Sequence, residues 1–111
     1  MENNETYEYY INKYGKKSKC HSYGDNFLII NTTDIDIIFC KDSTGYIWHR
    51  LDGPAYINST GEVVWYINDF DVTYEIEKWA KDRDIDLNNL TDVDKFMIKI
   101  EWANYDPNRD I

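Results

Sequence analysis

A chain of 111 residues is long enough for one ordinary domain and short for two. Hydrophobic residues at 42% support a packed core, while 21 acidic against 12 basic residues leave a net charge of −9. That balance argues against nucleic acid or an anionic membrane as the ligand. No apolar run reaches the roughly 18 residues of a membrane span.

The polar start, Met1-Glu2-Asn3-Asn4-Glu5, is unlike a secretory signal, so reduced Cys20 and Cys40 in a cytoplasm are expected. Cys40 ends an apolar stretch and reads as core; Cys20 lies in a polar segment and reads as exposed. Cys20, His21, Cys40 and His49 lack the compact spacing of a zinc site, so no metal and no cofactor is expected.

Tyr7, Tyr10, Ile11 and Tyr14 recur at i, i+3, i+4 and i+7, which predicts a short helix over residues 5–14, stopped by Gly15. Lys13, Lys16, Lys17 and Lys19 follow beside Tyr14 and Tyr23, a thin basis for a nucleic-acid patch on an acidic chain. The helix and this basic segment occupy residues 1–24. From residue 25 to 72 the pattern is β. Residues 27–31 and 34–41 are β-branched and aromatic, and Asp42-Ser43-Thr44-Gly45 is a turn signal. Residues 46–51 alternate, with Ile47, His49 and Leu51 opposite Tyr46, Trp48 and Arg50. Asp52-Gly53-Pro54 breaks that strand, residues 55–58 resume it, Ser59-Thr60-Gly61 turns it, and residues 62–67 alternate again. After Asn68-Asp69 a last strand is expected near 70–72.

The period then lengthens to about 3.6. Val72, Ile76, Trp79 and Ala80 form a helical stripe, with Asp71 or Thr73 as the expected N-cap. Thr91-Asp92-Val93-Asp94 opens a second helix with a capping-box pattern, and Val93, Phe96, Met97 and Ile100 read as its core stripe. The helical pair covers 73–104 and a tail covers 105–111. The expected fold class is α+β, one domain over 1–111: a short N-terminal helix, a central antiparallel β-meander and a C-terminal helical pair.

The stretch Trp48-His49-Arg50-Leu51-Asp52-Gly53-Pro54-Ala55, followed by Gly61 and by Trp65-Tyr66-Ile67-Asn68, has the form HRxDGPA…G…WYxN. It resembles a repeat in uncharacterised proteins of large tailed phages and some giant viruses, a β-hairpin loosely related to the MORN-type repeat. Residues 71–100 are similar to the helical tail that often follows. The resemblance implies a phage origin and action in the host cytoplasm. Asp69 stands where the repeat usually carries glycine, and no second copy occurs, which favours a compact single unit.

No catalytic constellation is complete. His49, Arg50 and Asp52 invite an enzymatic reading, but alternation parts His49 from Arg50, and Asp52-Gly53 is turn chemistry. Arg50 can instead pair with Asp52 or stack on a ring. Asp82, Asp84 and Asp86 begin like a calcium loop, but Leu87 and Val93 stand where glycine and glutamate are needed. Acidity grows along the chain: three acids against four bases over 1–24, six against two over 25–68, twelve against six over 69–111.

The expected function is therefore a small non-enzymatic accessory protein that binds and modulates a host protein with a basic surface, as an anti-defence factor or a mimic of DNA phosphates. Its binding face would combine Tyr46, Trp48, Arg50, Tyr56 and Tyr66 with the carboxylates of Glu75, Asp82, Asp84 and Asp86. The alternatives are a self-assembling β-module that forms a homodimer through its edge strands, and a small hydrolase using His49 or His21.

Overall fold

Local signals at the N-terminus act as the sequence suggests. In a computed structural model, which describes residues 6–15, 19–31 and 35–107, helix α1 spans Tyr7–Tyr14. Thr6 caps it by accepting from the Tyr9 N–H at 3.3 Å, and Gly15 ends it at φ +97°. Tyr10 is buried, with Tyr7, Ile11 and Tyr14 packed around the same core. Of the basic cluster, Lys16 and Lys17 lie outside the described residues.

Five strands follow in simple antiparallel order: β1 (Lys19–Tyr23), β2 (Asn26–Asn31), β3 (Asp36–Cys40), β4 (Tyr56–Asn58) and β5 (Val63–Val64). The meander thus begins at Lys19, inside the segment read as helix plus basic run. Register puts Leu28 opposite Phe39, and Ile37 opposite both Ile30 and Ile57. These five side chains form one core layer beneath Tyr10 and Ala55. The other face carries the row Cys20, Ile29, Ile38, Tyr56 and Val64, because side chains alternate across a strand. Cys20 is exposed and Cys40 buried, both as free thiols. Burial above all pushes the Cys40 thiol up to about 11.

Residues 46–51 are not the expected strand. They touch β3 through one bridge, Trp48 to Cys40, and His49 and Arg50 are both buried instead of alternating. The expected 62–67 strand is likewise split. Trp65 separates β5 from β6 (Tyr66–Ile67), which pairs with β7 (Phe70–Asp71) in a separate two-stranded ribbon.

Helix α2 (Thr73–Lys81) buries Ile76 and Ala80, with Val72 before it and Trp79 half-buried, as the stripe predicts. Its N-cap is Val72, not Asp71 or Thr73. The Thr73 hydroxyl instead accepts from the Trp65 N–H at 2.9 Å, and Asp71 accepts from the Thr73 N–H at 3.0 Å. Helix α3 (Asp92–Trp102) has the capping box: Thr91 accepts from the Asp94 N–H, and Asp94 accepts from the Thr91 N–H.

The inward face of α3 is a correction. Ile98 and Trp102 are buried in a second core cluster with Trp65, Ile67, Val72, Ile76 and Leu90. Val93, Phe96, Met97 and Ile100 are 37–66% exposed. At 100° per residue the two sets lie on opposite sides of the helix. Two apolar stripes compete for the interior, and the one bearing the indole of Trp102 is inside. Among the described residues no helix is long and apolar enough to cross a membrane.

Candidate functional site

Arg50, predicted as a binding residue, is fully buried. A buried guanidinium needs a counter-charge and filled donors. Its Nε donates to Asp52 Oδ1 at 2.7 Å, Nη1 to the Pro54 carbonyl at 3.1 Å, and Nη2 to the Tyr23 hydroxyl at 3.1 Å. The Tyr23 hydroxyl in turn donates to Asp52 Oδ2 at 3.3 Å. The guanidinium carbon sits 4.0 Å from the Phe39 ring centre and 5.3 Å from that of Tyr23. Burial pushes the Asp52 carboxyl up, yet Arg50, with Lys99 and Lys95, holds it below the ordinary aspartate value.

The glycine of the motif follows from the same packing. A Cβ on Gly53 would lie 2.6 Å from the guanidinium carbon, so no larger residue fits while Arg50 stays. Ala55 is buried, and its N–H donates to the Val64 carbonyl at 3.0 Å. Arg50, Asp52, Gly53, Pro54 and Ala55 thus act as one structural plug.

His49 joins the two halves of the motif. Its Nδ1 accepts from the Asn68 N–H at 3.0 Å, and its carbonyl accepts from the Asn26 side chain at 3.0 Å. Burial above all, then Lys41, lowers the ring to about 4, so it is neutral at pH 7. Asn68 and Asp69 lie at φ +51° and +71°. A two-residue hairpin turn with both central residues at positive φ is the type I′ form, which explains why glycine suits the position held here by Asp69. Asp69 adds a clasp: its N–H donates to the Trp48 carbonyl at 2.8 Å, and its carboxylate accepts from the Trp48 N–H at 3.1 Å. His21, the other imidazole, tilts against the Tyr14 ring at 4.8 Å.

Three predicted aromatics do come together. Trp48 stacks on Tyr56 with ring centres 5.9 Å apart and meets Tyr66 edge-on at 5.1 Å. All three are half-buried, and the Trp48 indole N–H donates to the Gly45 carbonyl at 3.2 Å. Tyr46 stands apart at 82% exposure.

The predicted carboxylates lie elsewhere. Glu75 is in the first turn of α2 and Asp82 at its C-cap. Asp84 adopts φ +56°, and Asp86 accepts from the Asn88 N–H at 2.9 Å to shape the α2–α3 connector. Asp84 and Asp86 line a groove on the core-facing side of the sheet, and none of Trp48, Tyr56 and Tyr66 reaches it. The residues expected to form one face are therefore dispersed: Arg50 is interior, Tyr46 stands apart from the ring trio, and Asp84 and Asp86 line a groove that the trio does not reach.

The exposed stripe of α3 is the feature that sequence reasoning placed inside. A signal for it existed: Ile98 and Trp102, four residues apart, mark a second apolar side of the same helix. No family model, curated protein or solved structure matches this chain.

Proposed function

We propose that this chain is a non-enzymatic protein-binding module, whose principal contact is the outward side of α3. The observation that carries the reading is the stripe Val93, Phe96, Met97 and Ile100, left in solvent by a helix already anchored through Ile98 and Trp102. A contiguous exposed apolar patch marks an interaction surface more often than chance exposure does. Covering one such side chain contributes about 1.5–3 kcal/mol when its burial is complete.

The partner is a protein with a basic surface. Asp92 and Glu101 border the stripe, with Lys99 beside Asp92, on a chain of net charge −9, and the overall opposite fields favour encounter between the two. Given the setting implied by the HRxDGPA resemblance, the partner is a host protein and the module an accessory factor of infection. The engagement of the His49 and Arg50 side chains within the fold supports a binding role over a hydrolytic one.

Capture from host lysate by tagged wild-type protein, compared with a Phe96→Gln/Ile100→Gln variant, tests this. A basic protein recovered by the wild type, lost with the variant and released by salt is the expected result. Identical recovery by the two chains would refute it.

Self-association is a second reading. It is favoured by β1, which among the described residues has a strand neighbour on one side only. Sedimentation at high concentration separates the two, since a strict monomer removes the second.

A further inference from the structure

The groove reached by Asp84 and Asp86 has a volume of about 790 Å3, within the roughly 300–1,000 Å3 typical of ligand sites. It lies at the seam between the two core clusters. Ile57 reaches its floor from the sheet core, and Trp65 and Leu90 reach it from the helical core, with Leu87 and Val63 beside them.

Charge around this floor is net acidic. Glu8, Asp52, Glu77, Asp84 and Asp86 line the groove against Lys81 and Lys95. Asp52 is already matched by Arg50. Among the described residues no ion pair engages Glu8, Glu77, Asp84 or Asp86. An apolar floor within a carboxylate rim is complementary to an amphipathic cation.

Backbone geometry narrows the occupant further. β5 ends the strand order of the sheet. The Glu62 and Val64 carbonyls accept from the Asn58 and Ala55 N–H groups, each at 3.0 Å, and so face β4. Alternation then turns the Val63 N–H and carbonyl to the opposite edge, where β5 has no strand neighbour among the described residues. Val63 also lines the groove. An extended peptide laid there would meet main-chain groups as well as carboxylates, the mode of strand addition.

We propose that this groove docks an extended basic peptide segment, its backbone beside Val63 and its lysine or arginine side chains toward Glu77 and Asp84. The inference rests on the reading of the chain as a protein-binding module, and it assigns a site distinct from the α3 stripe.

The test is fluorescence polarisation with a labelled hexapeptide of alternating lysine and valine, with a glutamate–valine hexapeptide as the opposite-charge control. The lysine peptide should bind about tenfold tighter than the control and weaken as salt rises. A Glu77→Lys/Asp84→Asn variant, which keeps a residue tolerant of positive φ at position 84, should lose about tenfold in affinity. A Glu8→Gln variant gives a smaller loss in the same direction and guards against misfolding of the double variant. The Phe96→Gln/Ile100→Gln chain should bind as wild type does. Equal binding of the two peptides, binding of neither, or displacement by spermine as effective as by unlabelled peptide would each overturn the proposal. Binding that survives Glu77→Lys/Asp84→Asn but is lost with Phe96→Gln/Ile100→Gln would overturn the groove and leave the α3 reading intact. Groove binding with no lysate partner for α3 would do the reverse.

Discussion

The sheet half and the helical half of this molecule treat their unusual residues in opposite ways. In the sheet half, charged and polar side chains at 49–55 are drawn inward and satisfied there. In the helical half, large apolar side chains of α3 are turned outward although the helix has an interior to fill. A buried polar group and an exposed large apolar patch are the two informative departures from ordinary burial. The contrast assigns stability to the motif and underlies the binding role proposed for the helix.

The strongest way to break that contrast is to remove the plug. Arg50→Ala should cost about 3–5 kcal/mol, the loss expected when one partner of a buried charge pair is deleted. Urea denaturation measures it, and a loss under about 1 kcal/mol would mean that the plug is not structural.

His49 supplies a pH test of the same half. Its folded value of about 4 lies below the ordinary 6.5. The neutral ring is therefore favoured by folding, and its contribution is present in full above pH 6.5. That contribution declines as pH falls from 6.5 toward 4, by about 2–3 kcal/mol over the window. His49→Gln should flatten the decline, as read from denaturation midpoints at pH 7 and pH 5.

Smaller effects belong to the helical half. Thr91→Ala removes the N-cap oxygen of α3 and should cost about 1 kcal/mol, visible as a lower melting temperature. Smallest of all, Phe96→Gln/Ile100→Gln should change stability by no more than about 0.5 kcal/mol, as surface substitutions do. A loss of several kcal/mol would show that the stripe is a core after all, and the contrast between the halves would collapse.

Much of the architecture was legible in the residues. The tyrosine stripe of α1, the Thr91 capping box, the Asn68-Asp69 turn and the meander all follow from short-range rules. β1 escaped notice because Lys-Cys-His-Ser-Tyr on a sheet edge buries little and shows no apolar alternation. The strand expected over 46–51 failed because hydrogen bonds from distant partners hold His49 and Arg50 in place and override local pattern. For the site, pairing of Arg50 with Asp52 and stacking on a ring could be read from chemistry alone. That the group lies under Tyr23 and Phe39 could not, since those residues come from other strands. The wrong face of α3 has the same origin: periodicity reveals two apolar sides, and only tertiary packing decides between them.

Trp65 carries a consequence of its own. Its N–H donates to the Thr73 hydroxyl, its carbonyl accepts from the Val72 N–H at 2.8 Å, and its side chain belongs to the helical core. Trp65 thus ties ribbon to helices together with Ile67 of the same core, and local opening there would release the Trp65 and Val72 amides together. The amide protons of Trp65 and Val72 would then exchange with solvent in step, and their common rate would time how often the molecule opens along its seam.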